Sequence, residues 1–262
     1  MDRVRTIVNK EWAEVFKNRL VLFLIIFMPL LFTILPLVIL YISARSGQAG
    51  TSTDMPAQFA RMCGTKLSSL DCMQVFVSNE FLLFYMIMPI IIPITIAAYS
   101  IVGEKTTRSL EPLLATPIST EELLTGKSLA AVIPAVGATW LCFLVFVMCL
   151  PVIGVNPAVR QYITSPVWLL AIFLAGPLMS ILAVNFAILV SSRVSDPRVA
   201  EQISIVLIVP ILVLLFGQMV GFLTLNVTTM LIFCLIITLI DVGMIYLGAR
   251  LFQRETILTK WK

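Results

Sequence analysis

"GEKTTRSLEPLLATPISTEELLTGKS", residues Gly103–Ser128, concentrates seven charged side chains: Glu104, Lys105, Arg108, Glu111, Glu121, Glu122 and Lys127. The 23 residues before Glu104 and the 32 after Lys127 carry no charge. A spanning helix needs about 20 apolar residues, so this island lies between two membrane spans. Other uncharged runs occupy 20–44, 161–192 and 202–240. The whole chain is 60% hydrophobic and 12% charged, with mean hydropathy +1.04. A soluble domain is about one quarter charged, so an integral membrane protein is expected.

The runs divide into six spans. "PVIGVNPAVRQYITSP" separates the third from the fourth as a turn, and "GFLTLNVT", Gly221–Thr228, splits the last run, which is too long for one helix. The expected fold is all-α and a single transmembrane domain over 1–262, with spans at 20–42, 81–102, 128–150, 167–190, 203–222 and 229–249. An outer loop at 43–80 and an inner elbow at 103–127 connect them. Lys and Arg collect on cytoplasmic flanks. With both termini inside, fourteen of the eighteen basic residues are cytoplasmic and only Arg45, Arg61, Lys66 and Arg160 face out. The net charge of +4 is then accounted for by membrane anchoring and calls for no nucleic-acid partner. Before the first span, residues 1–19 place Val4, Ile7, Val8, Trp12, Val15 and Phe16 on one helical face, the pattern of an interfacial amphipathic helix. No small-residue cleavage site follows the first apolar run, so it reads as a retained span.

Chemistry on this chain is narrowly bounded. There is no histidine, which removes His-based zinc sites and Ser-His or Cys-His nucleophiles. "TGKS" ends like a phosphate-binding loop, but such a loop needs a glycine five residues before Gly126, and that position is Glu121. No cofactor is expected to bind. Cys63 and Cys72 share the outer loop and are expected to pair if that compartment is oxidising. The same loop has apolar residues at helical intervals, Phe59, Met62, Leu67, Leu70, Met73 and Phe76, which predict one or two short interfacial helices. Asp241 is the intramembrane charge, with Asn185 and Thr238 as candidate hydrogen-bond partners. A polar lock between helices is its first reading and a place on a translocation path its second.

The island itself reads as a helical elbow. Leu110, Leu113 and Leu114 form an apolar ridge, Pro112 bends it, and Thr116-Pro117 stops it. Ser119 followed by Glu122 is a capping box that restarts a helix. Such bounded features on a cytoplasmic connection suggest docking.

The stretch resembles the membrane subunits of ATP-binding-cassette exporters of the second permease type, in the sodium- and drug-export branches. The similarity rests on Glu104-Lys105, the "LEPLL" core Leu110–Leu114, the Thr116-Pro117 stop and the Glu122–Lys127 entry to the third span. It departs from the family at Arg108-Ser109, where members often carry glycine-threonine. The resemblance implies a permease without its own motor, moving an unidentified substrate out of the cytoplasm across the inner membrane. It implies a second permease copy or paralogue, and a separate cytoplasmic ATPase subunit that holds ATP and Mg. Glu104, Arg108, Leu110, Glu111, Leu113, Leu114, Pro117, Glu121 and Glu122 would form the coupling surface for that ATPase. An ion-coupled secondary transporter and a membrane assembly or scaffold protein remain as alternatives.

Overall fold

The computed structural model describes residues 2–17, 19–46, 68–106, 119–220, 222 and 225–251. Among these there are no strands, and six helical segments are long and apolar enough to cross a membrane. Helix α1 is Asp2–Val15 and α2, the first span, is Arg19–Ser46. The second span is α3, Ser69–Tyr85, followed by α4, Met88–Thr106. The third is α5, Thr120–Ile153. Short helices α6, Pro157–Ile163, and α7, Pro166–Leu170, lead through a π-helical turn, Ala171–Ala175, into α8, Gly176–Arg193, the fourth span. The fifth combines α9, Pro197–Ser204, a 3-10 turn, Ile205–Ile208, and α10, Val209–Met219. The sixth is α11, Val227–Leu251.

The helix bounds differ from the expected ones where a charge was read as an end. Residues 69–80 are helical and continuous with the second span, because Ser68 caps the helix by accepting the Asp71 N–H, and the helix then runs past Glu80. One carboxylate can be carried on a half-buried helical face, so Glu80 was no boundary. Leu70, Met73 and Phe76 therefore line this span; Phe59, Met62 and Leu67 lie outside the described residues. The first span likewise extends to Ser46, the third begins at Thr120 and the fifth at Pro197. The capping box forms as its sequence requires: the Ser119 N–H donates to Glu122 Oε2 at 2.9 Å and the Glu122 N–H to Ser119 Oγ at 3.1 Å. At its other end α5 stops on Gly154, whose φ of 84° is the left-handed conformation that glycine adopts without a Cβ clash.

The second span is the axis of the bundle. Of its most apolar window, 83% is buried, against 22–28% for spans one, three, five and six and 56% for span four. It packs along α8, α5 and α9, while the outer spans turn apolar side chains such as Phe23, Leu141, Phe216 and Leu239 outward. Polar bonds pin α3: Asn79 donates to Gln218 Oε1 and accepts from the Tyr162 hydroxyl, both at 2.9 Å, and Gln74 donates to Ser43 Oγ at 3.2 Å.

Prolines inside the spans set a second requirement. A helical proline has no N–H for the carbonyl four residues earlier, and in hydrocarbon that oxygen must find another donor. Pro93 frees the Pro89 carbonyl, and Ser180 Oγ of α8 donates to it at 2.8 Å. Pro134 frees the Ala130 carbonyl, and Trp12 Nε1 of α1 donates to it at 3.0 Å. In the π turn the Gly176 N–H goes back to Ala171. The next donor position is Pro177, so the Ile172 carbonyl is left over, and Trp140 Nε1 of α5 takes it at 3.1 Å. Each of these defects is therefore a point where one helix is bonded to another.

Candidate functional site

At the end of the bundle that carries α1, four charged side chains from three helices meet in the interior. Lys127, on the second turn of α5, is almost fully buried and donates to Glu11 Oε1 of α1 at 2.7 Å and to Ser100 Oγ of α4 at 2.7 Å. Its ammonium also lies 2.8 Å from Glu104 Oε2 of α4. An ammonium has three protons, and three oxygens surround this one. The Ser100 hydroxyl in turn donates to Glu11 Oε2 at 2.6 Å. Lys10 of α1 closes the set from the half-exposed side, donating to Glu104 Oε1 at 2.6 Å, with Glu14 3.7 Å away. Two cations thus balance the two buried carboxylates, Glu11 and Glu104. Burial works against the Lys10 charge, but the hydrogen bond and attraction of Glu104, helped by Glu14 and Glu11, outweigh it and raise its pKa above the ordinary value.

The same contact explains "TGKS". A Cβ added at Gly126 would stand 2.8 Å from Ile7 Cγ2 and 2.9 Å from Ile7 Cβ, so the glycine admits Ile7 of α1 against the α5 backbone. Gly126 seats α1, and Lys127 fixes it with charge. Ile7 and Val8 are buried there, the Trp12 indole bonds to α5 as described, and Arg3 lies 3.7 Å from Glu122. The amphipathic N-terminal helix is packed on protein along this face, while Phe16, expected on the same stripe, is exposed.

Of the residues expected to form the coupling surface, Arg108, Leu110, Glu111, Leu113, Leu114 and Pro117 lie in 107–118, outside the described residues. Glu104, expected on the coupling surface, is instead buried in the ion cluster, because α4 continues beyond it to Thr106 and turns its side chain toward α1 and α5. Glu121 is exposed on the first turn of α5, and Glu122 is committed to the capping box. Cys72 is disulfide-bonded, Cys63 is outside the described residues, and Cys142, Cys149 and Cys234 are free. Asp241 is buried with no hydrogen bond to either carboxylate oxygen. Neither Asn185 nor Thr238 bonds to it, and the Thr238 hydroxyl donates instead to the Cys234 carbonyl at 2.8 Å. The interhelical lock expected there is not formed.

Sequence reasoning missed Lys10, Glu11, Trp12 and Ser100 as members of one site. One signal was present. Glu11 stands four residues after Ile7, within the apolar stripe and not opposite it, and a carboxylate in an apolar stripe requires a cation from elsewhere.

A family model described as an ABC-2 family transporter protein matches residues 5–250. No curated protein and no solved structure matches the chain.

Proposed function

We propose that this chain, which belongs to the ABC-2 transporter family, is the permease subunit of an exporter that takes its energy from a separate cytoplasmic ATPase docked on residues 107–118. Permeases of this family are generally non-catalytic membrane subunits, and ATP with Mg would sit on the partner. The observation that supports this docking surface is the ion cluster. Glu104 lies just before the segment and Lys127 just after it, and both are bonded to each other and to α1. A displacement of 107–118 would therefore reach α4 and α5 as one body, and α4 belongs to the most buried span.

The fourteen-to-four distribution of basic residues supports a cytoplasmic position for this end, which a docked ATPase would require. A second permease copy or paralogue would cover part of the apolar faces of the outer spans. ATP can drive the cycle only if the ATPase binds the permease's two states with different affinity. Leu113 and Leu114 would be its apolar anchors, with Glu111 and Glu121 at the rim.

Copurification with the cognate ATPase tests the proposal. A central apolar anchor converted to a charge weakens association by about 2 kcal/mol or more, so Leu113→Asp should lose most of the bound ATPase. Glu121→Gln should lose little, since rim charges chiefly set rate and orientation. Full ATPase binding and coupled turnover in Leu113→Asp would remove 107–118 as the docking surface.

A further inference from the structure

Asp241 follows the start of α11 by about 21 Å along the helix axis, deep within a hydrocarbon layer about 30 Å thick. It shares the single buried stripe of α11 with Met230, Cys234 and Ile237, while the rest of that helix is largely exposed. The elements packed on α11 are α8, α7 and the π turn. Residues 166–175, which make up α7 and the π turn, contain no titratable side chain. The titratable group of α8 is Arg193, exposed at its end. On α11 itself stand Cys234, Tyr246 and Arg250. Among the described residues no cation lies within ion-pair distance of Asp241, and both of its oxygens are buried and unbonded.

An unpaired buried carboxylate costs several kcal/mol when ionised, so this packing needs the charge removed. A metal cation could remove it only with several further oxygen ligands. The nearest hydroxyl along the helix, Thr238, is already bonded to the Cys234 carbonyl. A proton needs no such shell.

We propose that Asp241 is a proton-binding site, and that the seam between the fourth and sixth spans closes with uptake of one proton and opens with its release. The sign follows from linkage. The packed seam holds a proton that the open, solvated carboxyl gives up above its ordinary pKa of about 3.9. Packing is therefore strongest at low pH and weakens as pH rises, by up to about tenfold in the opening equilibrium per pH unit.

The test uses the full chain in lipid nanodiscs, with thermal unfolding followed from pH 5 to pH 9. Wild type should lose stability relative to Asp241→Asn as pH rises, because the amide stays neutral at every pH, and Asp241→Leu should run parallel to the amide variant. Difference infrared spectroscopy supplies a readout that a merely structural role would not move: the wild type should show a protonated-carboxyl carbonyl band at neutral pH, absent from Asp241→Asn. A flat difference between the wild-type and Asp241→Asn stability curves, or no change in that band on substitution, would overturn the proposal. If both variants fail to fold, the infrared titration of wild type with isotope-labelled aspartate decides it, and aspartate that is fully ionised at neutral pH refutes it.

Discussion

Replacing Lys127 with methionine keeps the length of the side chain and deletes the ammonium that three oxygens share. Glu104 would still hold Lys10 at 2.6 Å, but Glu11, which is 2% exposed, would be left with the Ser100 hydroxyl as its hydrogen-bond donor. Removing one partner of a buried pair costs about 3–5 kcal/mol, because the remaining charge is uncompensated. Lys127→Met should fall in that range, near its lower end, since Ser100 keeps one of the hydrogen bonds to Glu11. Glu11→Gln alone should cost less, about 1–3 kcal/mol, because Lys127 retains Glu104 and Ser100. In the double variant the surviving charges, Lys10 and Glu104, are paired. It should therefore be more stable than the sum of the two single losses by about 1–3 kcal/mol. Reversible unfolding in mixed detergent micelles gives the three free energies, and limited proteolysis within α1 reports whether the loss is confined to that helix. Additivity within about 0.5 kcal/mol would refute the reasoning, because Glu11 and Lys127 would then act independently despite their 2.7 Å contact.

Two further predictions concern how α1 is seated. Trp12→Phe keeps an aromatic ring but removes the indole N–H and so leaves the Ala130 carbonyl without its donor, at a cost of about 1–3 kcal/mol. In a Pro134→Ala background the backbone supplies the missing N–H, so the same change should cost much less by the same unfolding assay; equal costs in both backgrounds would show that Pro134 is not the reason for the bond. Gly126→Val should lose about 1–3 kcal/mol from overpacking against Ile7, and Ile7→Ala added to it should recover part of that loss. A double variant no more stable than Gly126→Val would place the clash elsewhere.

The six spans and the restart at Ser119 were legible because hydrocarbon run length and a capping box are local signals. The extent of the second span was not. A single Glu80 looked like an end, and whether one carboxylate ends a helix depends on neighbours from other elements, here Tyr162 and Gln218, which bond the adjacent Asn79. Glu104 is expected on the coupling surface and Lys127 in the entry to the third span, with no sign in either stretch that the two meet. Only the packing of α1 over α4 and α5, which brings Lys10 to Glu104 across 94 residues and Glu11 to Lys127 across 116, makes Glu104 and Lys127 interior. The prolines at 93, 134 and 177 announce freed carbonyls in the sequence, but not which helix brings the donor. For Asp241 the sequence supplied the position in the span, and the polar candidates at similar depth suggested a lock. Thr238 had a nearer acceptor in its own helix, as a hydroxyl one turn from a carbonyl commonly does.

Why α1 is fixed by charges and an indole, when its stripe already has Ile7 and Val8, follows from the solvent. In water an apolar stripe is driven onto protein because exposure is costly. At a membrane surface lipid tails accept the same stripe almost as well, so apolar area alone hardly distinguishes docking on α5 from lying in the bilayer interface. Groups that lipid tails cannot satisfy must make the choice. The Ala130 carbonyl freed by Pro134 has its donor only when Trp12 is in place. Lys127 has its full set of acceptors only when Glu11 is in place. Buried ion pairs are weak evidence of net stability, because desolvation offsets much of the attraction, but that cost is also what penalises a displaced α1, which would leave Lys127 facing Glu104 with one acceptor lost. The cluster therefore sets where α1 sits more than how firmly the bundle folds. A helix with one defined seat can hold the ends of α4 and α5 in a fixed relation, and a helix free to slide in the lipid surface cannot.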